Sequence, residues 1–329
     1  MFNRIALALI LISVQLIAQS NNEIITVSDI DVQKAVNHYE KEEYEKAITI
    51  LENILDENED NAEAYFVLSK TLFKMNELDD AIDAAEEAVE LNDKREDFHY
   101  HLAQLYMIDI QDASIFRQPS LASGMKEELI ATLELNPNHI DALTSLANFY
   151  LRAPGITGGD NELALQQALK LKFLDAERGL TLLSQIYIEL ENYPEARTAA
   201  NELINFNEYN ARRVLARLCQ VQNDDAGREE QYKTIEAKFG EDPECSGFYN
   251  DYGYYLMGKN RLDKAIEKFK KQVLLAPGDA NAHDSLGEGY LNKGMLKESL
   301  AEYKKALKIN PEFENALEKV EEIEDLLDE

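Results

Sequence analysis

Five histidines, two cysteines and sixty-three acidic side chains are the groups from which this chain could build a catalytic or metal site. None stands in a spacing that chemistry requires. There is no H-E-x-x-H or C-x2-C, so no pair of ligands is set for zinc. There is no G-x-S-x-G turn to expose a nucleophilic serine. His99 and His101 are two apart, which on a helix directs them to different faces. His283 reads as a packed side chain. The run Asp56-Glu57-Asn58-Glu59-Asp60 has the composition of a calcium loop but lacks its glycine and its terminal Glu. Gly155 to Gly159 precedes a helix as a phosphate cradle would. It has no G-K-[ST] ending and no preceding strand, and Asp160 would repel a phosphate. A tight turn fits better, with Gly158 and Gly159 at unusual backbone angles and Asp160 capping the next helix. No catalytic residue, metal or cofactor is expected, and the chain reads as a non-enzyme.

Charge narrows the partners. The formal net charge is −30 over 329 residues. A nucleic acid needs a basic footprint, and so does an anionic membrane surface, so both are excluded as partners. The acidity reads as a solvated, self-repelling surface. At the N-terminus, Arg4 precedes the apolar run Ile5 to Ile12, and Ala18-Gln19-Ser20 offers small residues for cleavage. This is the pattern of a signal peptide over 1–20, implying a periplasmic or secreted protein. The run is too short to span a bilayer and is interrupted by Gln15, so no stable membrane insertion is expected after cleavage. No cysteine lies near the cleavage site to carry a lipid.

The elements that position everything else come from internal repeats. Small residues recur at Ala35, Ser69, Ala103, Ala147, Ser184, Ala216, Gly253 and Gly287, at spacings of 34, 34, 44, 37, 32, 37 and 34. Near the C-terminus one copy reads Tyr249-x2-Tyr252-Gly253, then Ala265-x3-Phe269, then Pro277. The next reads His283-x2-Leu286-Gly287-x2-Tyr290, then Ser299-x3-Tyr303, then Pro311. Upstream copies keep Tyr65-x2-Leu68-Ser69 with Ala81 and Ala85, and Leu183-Ser184-x2-Tyr187 with Ala196-x3-Ala200. This pattern resembles the tetratricopeptide-repeat family over nearly the whole mature chain. The resemblance implies an all-α, right-handed superhelical solenoid. It also implies a scaffold that binds a protein or peptide on the concave face lined by the first helix of each hairpin.

The repeats divide the array 21–313 into eight hairpins: 28–61, 62–95, 96–138, 139–175, 176–208, 209–243, 244–279 and 280–313. Residues 314–329 read as a capping helix whose Leu317, Val320, Ile323 and Leu327 form an apolar stripe. The third hairpin carries about ten extra residues, read as a loop from Gln111 to Gly124. The fourth carries about five, between Ala153 and Asp160. Cys219 and Cys245 fall on successive first helices, at ends too far apart for a disulfide. The stretch Phe149-Tyr150, Pro154-Gly155, Gly158-Gly159-Asp160 and Ala164 resembles one hairpin of the T-component of tripartite ATP-independent periplasmic transporters. Asn281 to Glu288 is similar to repeats appended to secreted bacterial serine hydrolases, although no hydrolase domain accompanies it.

On this register the binding face would present Phe66, Lys70 and Phe73, then Tyr100 and Met107, as an aromatic and apolar zone. Arg178, Gln185, Arg213 and Arg217 follow as a cationic zone, then Asn250 and Tyr254. Guanidinium groups suit a carboxylate such as a peptide C-terminus. The competing reading pairs these arginines with neighbouring Glu and Asp. The expected function is a scaffold or adaptor whose partner is a protein or peptide, one presenting an exposed carboxylate. A transport accessory or small-ligand carrier is the alternative. The sequence sets no oligomeric state.

Overall fold

The computed structural model describes residues 27–328, so the N-terminal run read as a signal peptide lies outside the described residues. Seventeen α-helices and two short 3-10 turns make up the regular structure there, with no strand among the described residues. The chain divides between Asp175 and Ala176 into two units.

The first unit holds four hairpins: α1 (Val27–Glu40) with α2 (Tyr44–Glu57), α3 (Ala62–Lys74) with α4 (Leu78–Leu91), α5 (Glu96–Asp112) with α6 (Gln118–Leu135), and α7 (Ile140–Arg152) with α8 (Asn161–Leu174). The second holds α9 (Ala176–Glu189) with α10 (Tyr193–Leu203), α11 (Glu208–Val221) with α12 (Asp225–Phe239), α13 (Ser246–Gly258) with α14 (Leu262–Leu275), and α15 (Ala280–Asn292) with α16 (Leu296–Ile309). A final helix, α17 (Glu314–Asp328), packs on α16. Within each unit a helix packs chiefly on its immediate neighbours in sequence, as a stack of hairpins must.

A three-part code repeats within most hairpins. The recurring small residue of the first helix is buried against the second. Seven residues later the chain turns through a left-handed conformation. This occurs at Glu42, Asn76, Glu191, Asn223, Asn260 and Gly294, with φ between 55 and 77°. Twelve residues after the small residue comes a second small residue, at Ala47, Ala81, Ala196, Ala265 and Ser299, and each of these is fully buried. Glycine at the first position makes room for an aromatic ring sixteen residues on. A Cβ added at Gly253 would lie 2.3 Å from the Phe269 ring, and one at Gly287 3.2 Å from Tyr303. Close approach of the helices is what these small side chains provide.

The third and fourth hairpins lack the left-handed residue at that offset. In the third, the extra residues do not form the long loop expected. They lengthen the helices, leaving only residues 113–117 between α5 and α6. Pro119 lies in the first turn of α6, where its missing N–H has no helical partner to lose. Gly124 lies inside that helix, with the Tyr106 ring 3.0 Å from where a Cβ would be. In the fourth, Gly158 takes φ +98°. Gly159 is required for a different reason than expected: a Cβ there would strike the Ala153 carbonyl at 1.7 Å. Asp160 caps α8, accepting hydrogen bonds from the Glu162 and Leu163 amides at 2.8 and 3.0 Å.

The apolar stripe on α17 is shifted from the expected one. Ala316 and Ile323 are buried and Val320 packs beside them, while Leu317 and Leu327 are exposed. Leu317 falls off the face turned toward α16, because helical periodicity carries the contact through 316, 320 and 323, whereas Leu327 continues that line in the last turn of the helix.

Ion pairs tie hairpin to hairpin within each unit. In the first, Glu63 holds Arg95 at 2.8 Å. In the second, Asp225 holds Lys259 at 2.5 Å, while Glu229 with Arg261, Glu236 with Lys268, and Glu241 with Lys271 each meet at 2.7 Å. Asp263 pairs with Lys293. In all six the carboxylate comes first and the cation follows 30 to 34 residues later.

Candidate functional site

The sequence-derived site residues fall into two groups that the structure treats differently. In the first unit the aromatic zone is spent on packing. Phe66 stacks on Phe98 at 4.6 Å and meets the edge of His101 at 5.5 Å. Lys70 lies over the Phe66 and Tyr39 rings, 5.2 and 5.4 Å from their centroids. Phe73 packs against the core of the second hairpin. Tyr100 lies on His139 at 4.3 Å. These side chains and Met107 are all half-buried.

His99 and His101 do point apart. His99 Nδ1 meets Glu128, and His101 Nε2 meets Ser69 Oγ at 2.9 Å. His283 is buried against Glu302. No group of three or more His, Cys, Asp or Glu among the described residues is arranged to hold a metal.

In the second unit, Gln185, Arg213, Arg217 and Tyr254 come together on one groove of about 950 Å³. Helices α9, α11 and α13 line it, and α12 contributes a further wall. Arg178 lies on α9 outside the lining and is exposed. Asn250 also lies outside, with Oδ1 buried and without a hydrogen-bond partner.

The cations of the groove are mostly paired, as the competing sequence reading held for Arg213 and Arg217. Arg213 meets Asp251 at 3.3 Å, and Arg217 meets Glu189 at 2.9 Å. About half of each of these side chains is exposed, so such a pair contributes only about 0–1 kcal/mol. Lys259 is held by Asp225.

Reasoning from first helices alone missed Arg228, which comes from α12. Its Cζ lies 5.3 Å from the Tyr232 ring centroid and 4.7 Å from that of Tyr255. It donates from Nε and Nη2 to the Tyr232 hydroxyl at 3.0 and 2.9 Å. The i, i+4 spacing of Arg228 and Tyr232 was the available signal.

The groove wall is close-packed and uncharged where it is aromatic. Tyr232 packs on Phe248 at 5.7 Å and on Tyr252 at 4.8 Å. Burial raises the phenol pKa of Tyr232, Tyr254 and Tyr255, which keeps all three neutral. Tyr254 donates to Glu288 at 2.7 Å. Cys219 and Cys245 are buried free thiols, and burial pushes the Cys219 thiol up. Neutral aromatic faces beside guanidinium groups can bind an extended chain.

No helix among the described residues is long and apolar enough to cross a membrane. A search of curated proteins finds no match. Residues 38–105 and 280–313 each match a family model described as the tetratricopeptide repeat. Among solved structures, the chain is similar to a tetratricopeptide repeat protein from Parabacteroides merdae. That likeness has 14% identity and a TM-score of 0.56, covering 90% of this chain and 98% of that one. A looser likeness is to PilW, a type IV pilus biogenesis factor, at 13% identity and a TM-score of 0.47, covering 65% of this chain and 94% of that one. With its stacked hairpins, their recurring small residues and the two matched stretches, this chain carries tetratricopeptide repeats at 38–105 and 280–313 within an all-α solenoid of helical hairpins.

Proposed function

We propose that the protein is a non-catalytic scaffold or adaptor of the bacterial periplasm, binding a segment of another protein in the groove of its second unit. The fold is one that generally binds proteins or peptides. One observation carries the reading to this site: a groove walled by tyrosines and studded with Arg213, Arg217 and Arg228, in a chain of net charge −30. Aromatic and arginine side chains together are what interface hot spots are made of. The periplasmic assignment rests on the signal-like residues 1–20.

Affinity purification from the native cell tests the binding. The double variant Arg213→Glu with Arg217→Glu is expected to lose the partner that the wild-type protein captures. Unchanged capture removes the groove from the reading. N-terminal sequencing of the mature protein, expected to begin at Asn21, tests export.

A further inference from the structure

Arg228 breaks the repeat code at one position. Twelve residues after the small residue, five other hairpins place a fully buried Ala or Ser: Ala47, Ala81, Ala196, Ala265 and Ser299. Counted from Ala216, that position in the sixth hairpin is Arg228. A long cation stands where those five hairpins place a methyl or hydroxymethyl group. It is half-buried on the groove wall, with its guanidinium held on two tyrosine faces.

Of the four cations lining the groove, Arg228 is the one without a carboxylate within 4 Å among the described residues. A guanidinium has five N–H donors, and Tyr232 engages two of them. The remaining donors and the full charge are available to a ligand. Packing on aromatic rings also fixes the fork in advance, so little side-chain entropy is lost when an anion arrives.

The two neighbouring arginines differ in kind. Each is paired within the chain, but through solvent-exposed bonds that exchange easily. Arg213 and Asp251 also run in the reverse order to the six pairs that tie hairpins together, with the cation first. That pair bridges the groove-lining helices α11 and α13, whereas most of the six start from a second helix.

Resting on the groove reading above, we infer that the partner segment is acidic. Arg228 is its fixed anchor, and Asp251 and Glu189 occupy Arg213 and Arg217 in place of the partner's carboxylates until it binds. The class follows from charge complementarity: a groove of guanidiniums over neutral tyrosines takes carboxylate side chains, with apolar or aromatic residues between them on the rings.

Isothermal titration of the full chain tests this with three synthetic octapeptides: alternating glutamate and tyrosine, alternating lysine and tyrosine, and alternating serine and tyrosine. The acidic peptide is expected to bind, and to weaken as salt is raised. The lysine peptide is expected not to bind. Arg228→Gln should weaken the acidic peptide about tenfold, with an unchanged melting temperature as the check on folding. The decisive variant is Asp251→Asn with Glu189→Gln. It removes the internal competitors, and the acidic peptide should bind at least threefold more tightly.

Equal or weaker binding by that double variant would mean the two pairs are structural ties and overturn the inference. Tighter binding of the serine peptide than the acidic one would overturn the acidic class while leaving the groove as a binding site. If no peptide binds, and native capture is indifferent to Arg213→Glu with Arg217→Glu, both the inference and the scaffold reading at this groove fail.

Discussion

His99 and Glu128 form a buried ion pair, with Nδ1 and Oε2 2.5 Å apart and only 8% and 20% of the two side chains exposed. The other ring nitrogen, Nε2, faces the Asp93 carbonyl at 3.1 Å. Both nitrogens meet acceptors, so the doubly protonated imidazolium is the form that satisfies them. The eighth hairpin repeats the arrangement with His283, Glu302 and the Pro277 carbonyl. In each case the histidine precedes the small residue, Ala103 or Gly287, by four.

The first prediction concerns pH. The hydrogen bond to Glu128 raises the His99 pKa above its ordinary value. A raised pKa contributes stability that is complete below the unfolded value of about 6.5 and is lost as pH rises through the folded value. Two residues away, His101 behaves oppositely. Burial, helped by Lys70 and opposed by Asp97, lowers its pKa to about 4. The unfolded chain then binds the extra proton between about pH 6.5 and 4, and stability falls across that window as pH falls. Melting temperature against pH should therefore peak near 6.5. His99→Gln should flatten the alkaline limb, and His101→Gln the acidic one. A profile unchanged by either variant contradicts this account.

Turn conformation gives the second. Glu191 sits at φ 56°, where a side chain costs energy that glycine does not pay. Glu191→Gly is expected to raise the free energy of unfolding by about 0.5–1 kcal/mol in urea titrations. Gly294→Ala, at φ 77°, should lower it by about 1 kcal/mol.

Close packing gives the third. Gly253→Ala drives a methyl group into the Phe269 ring and should destabilise by about 1–3 kcal/mol. Pairing it with Phe269→Leu should recover part of the loss. Additive losses in this double-variant cycle would show that the two sites do not touch.

Two tyrosines give the fourth. The Tyr249 hydroxyl donates to the Gly240 carbonyl at 3.1 Å, whereas the buried Tyr303 hydroxyl has no partner. Tyr249→Phe should cost about 1 kcal/mol, and Tyr303→Phe should be neutral or stabilising. Chemical denaturation of the two variants side by side decides it.

Helix capping gives the fifth. Asp160→Ala removes the acceptor of two backbone amides at the start of α8 and should cost about 0.5–2 kcal/mol. Asp160→Asn, which keeps the acceptor, should cost much less.

The hairpin character of the chain was legible because packing two helices closely demands small residues at a fixed place, and those residues recur in the sequence. The residues at which the chain turns back were less visible. Glu42 and Glu191 adopt a left-handed conformation that their residue type does not announce, and only their place in the repeat imposes it. The groove was half legible. Gln185, Arg213, Arg217 and Tyr254 follow from helical periodicity on first helices. Arg228 comes from a second helix, and its position is normally internal, so periodicity alone assigns it to the core. Phe66 and Tyr100 were read as presented to a ligand, but stacking between successive first helices claims their rings. A one-dimensional pattern does not separate an aromatic that faces a partner from one that faces the next repeat.

Six of the inter-hairpin ion pairs share one order, acid first, which gives the hairpins they link a direction, although Arg213 with Asp251 runs the other way. The seventh hairpin offers the Asp263 carboxylate forward and receives carboxylates from behind at Lys259, Arg261, Lys268 and Lys271, so stacking it the wrong way round would set acid against acid. Weak as single pairs are, their order rejects misassembly more than it adds strength. Duplicating one such unit in frame copies both the forward acid and the rearward cation. The array can therefore lengthen by whole hairpins with its contacts already in register, much as a zip gains teeth.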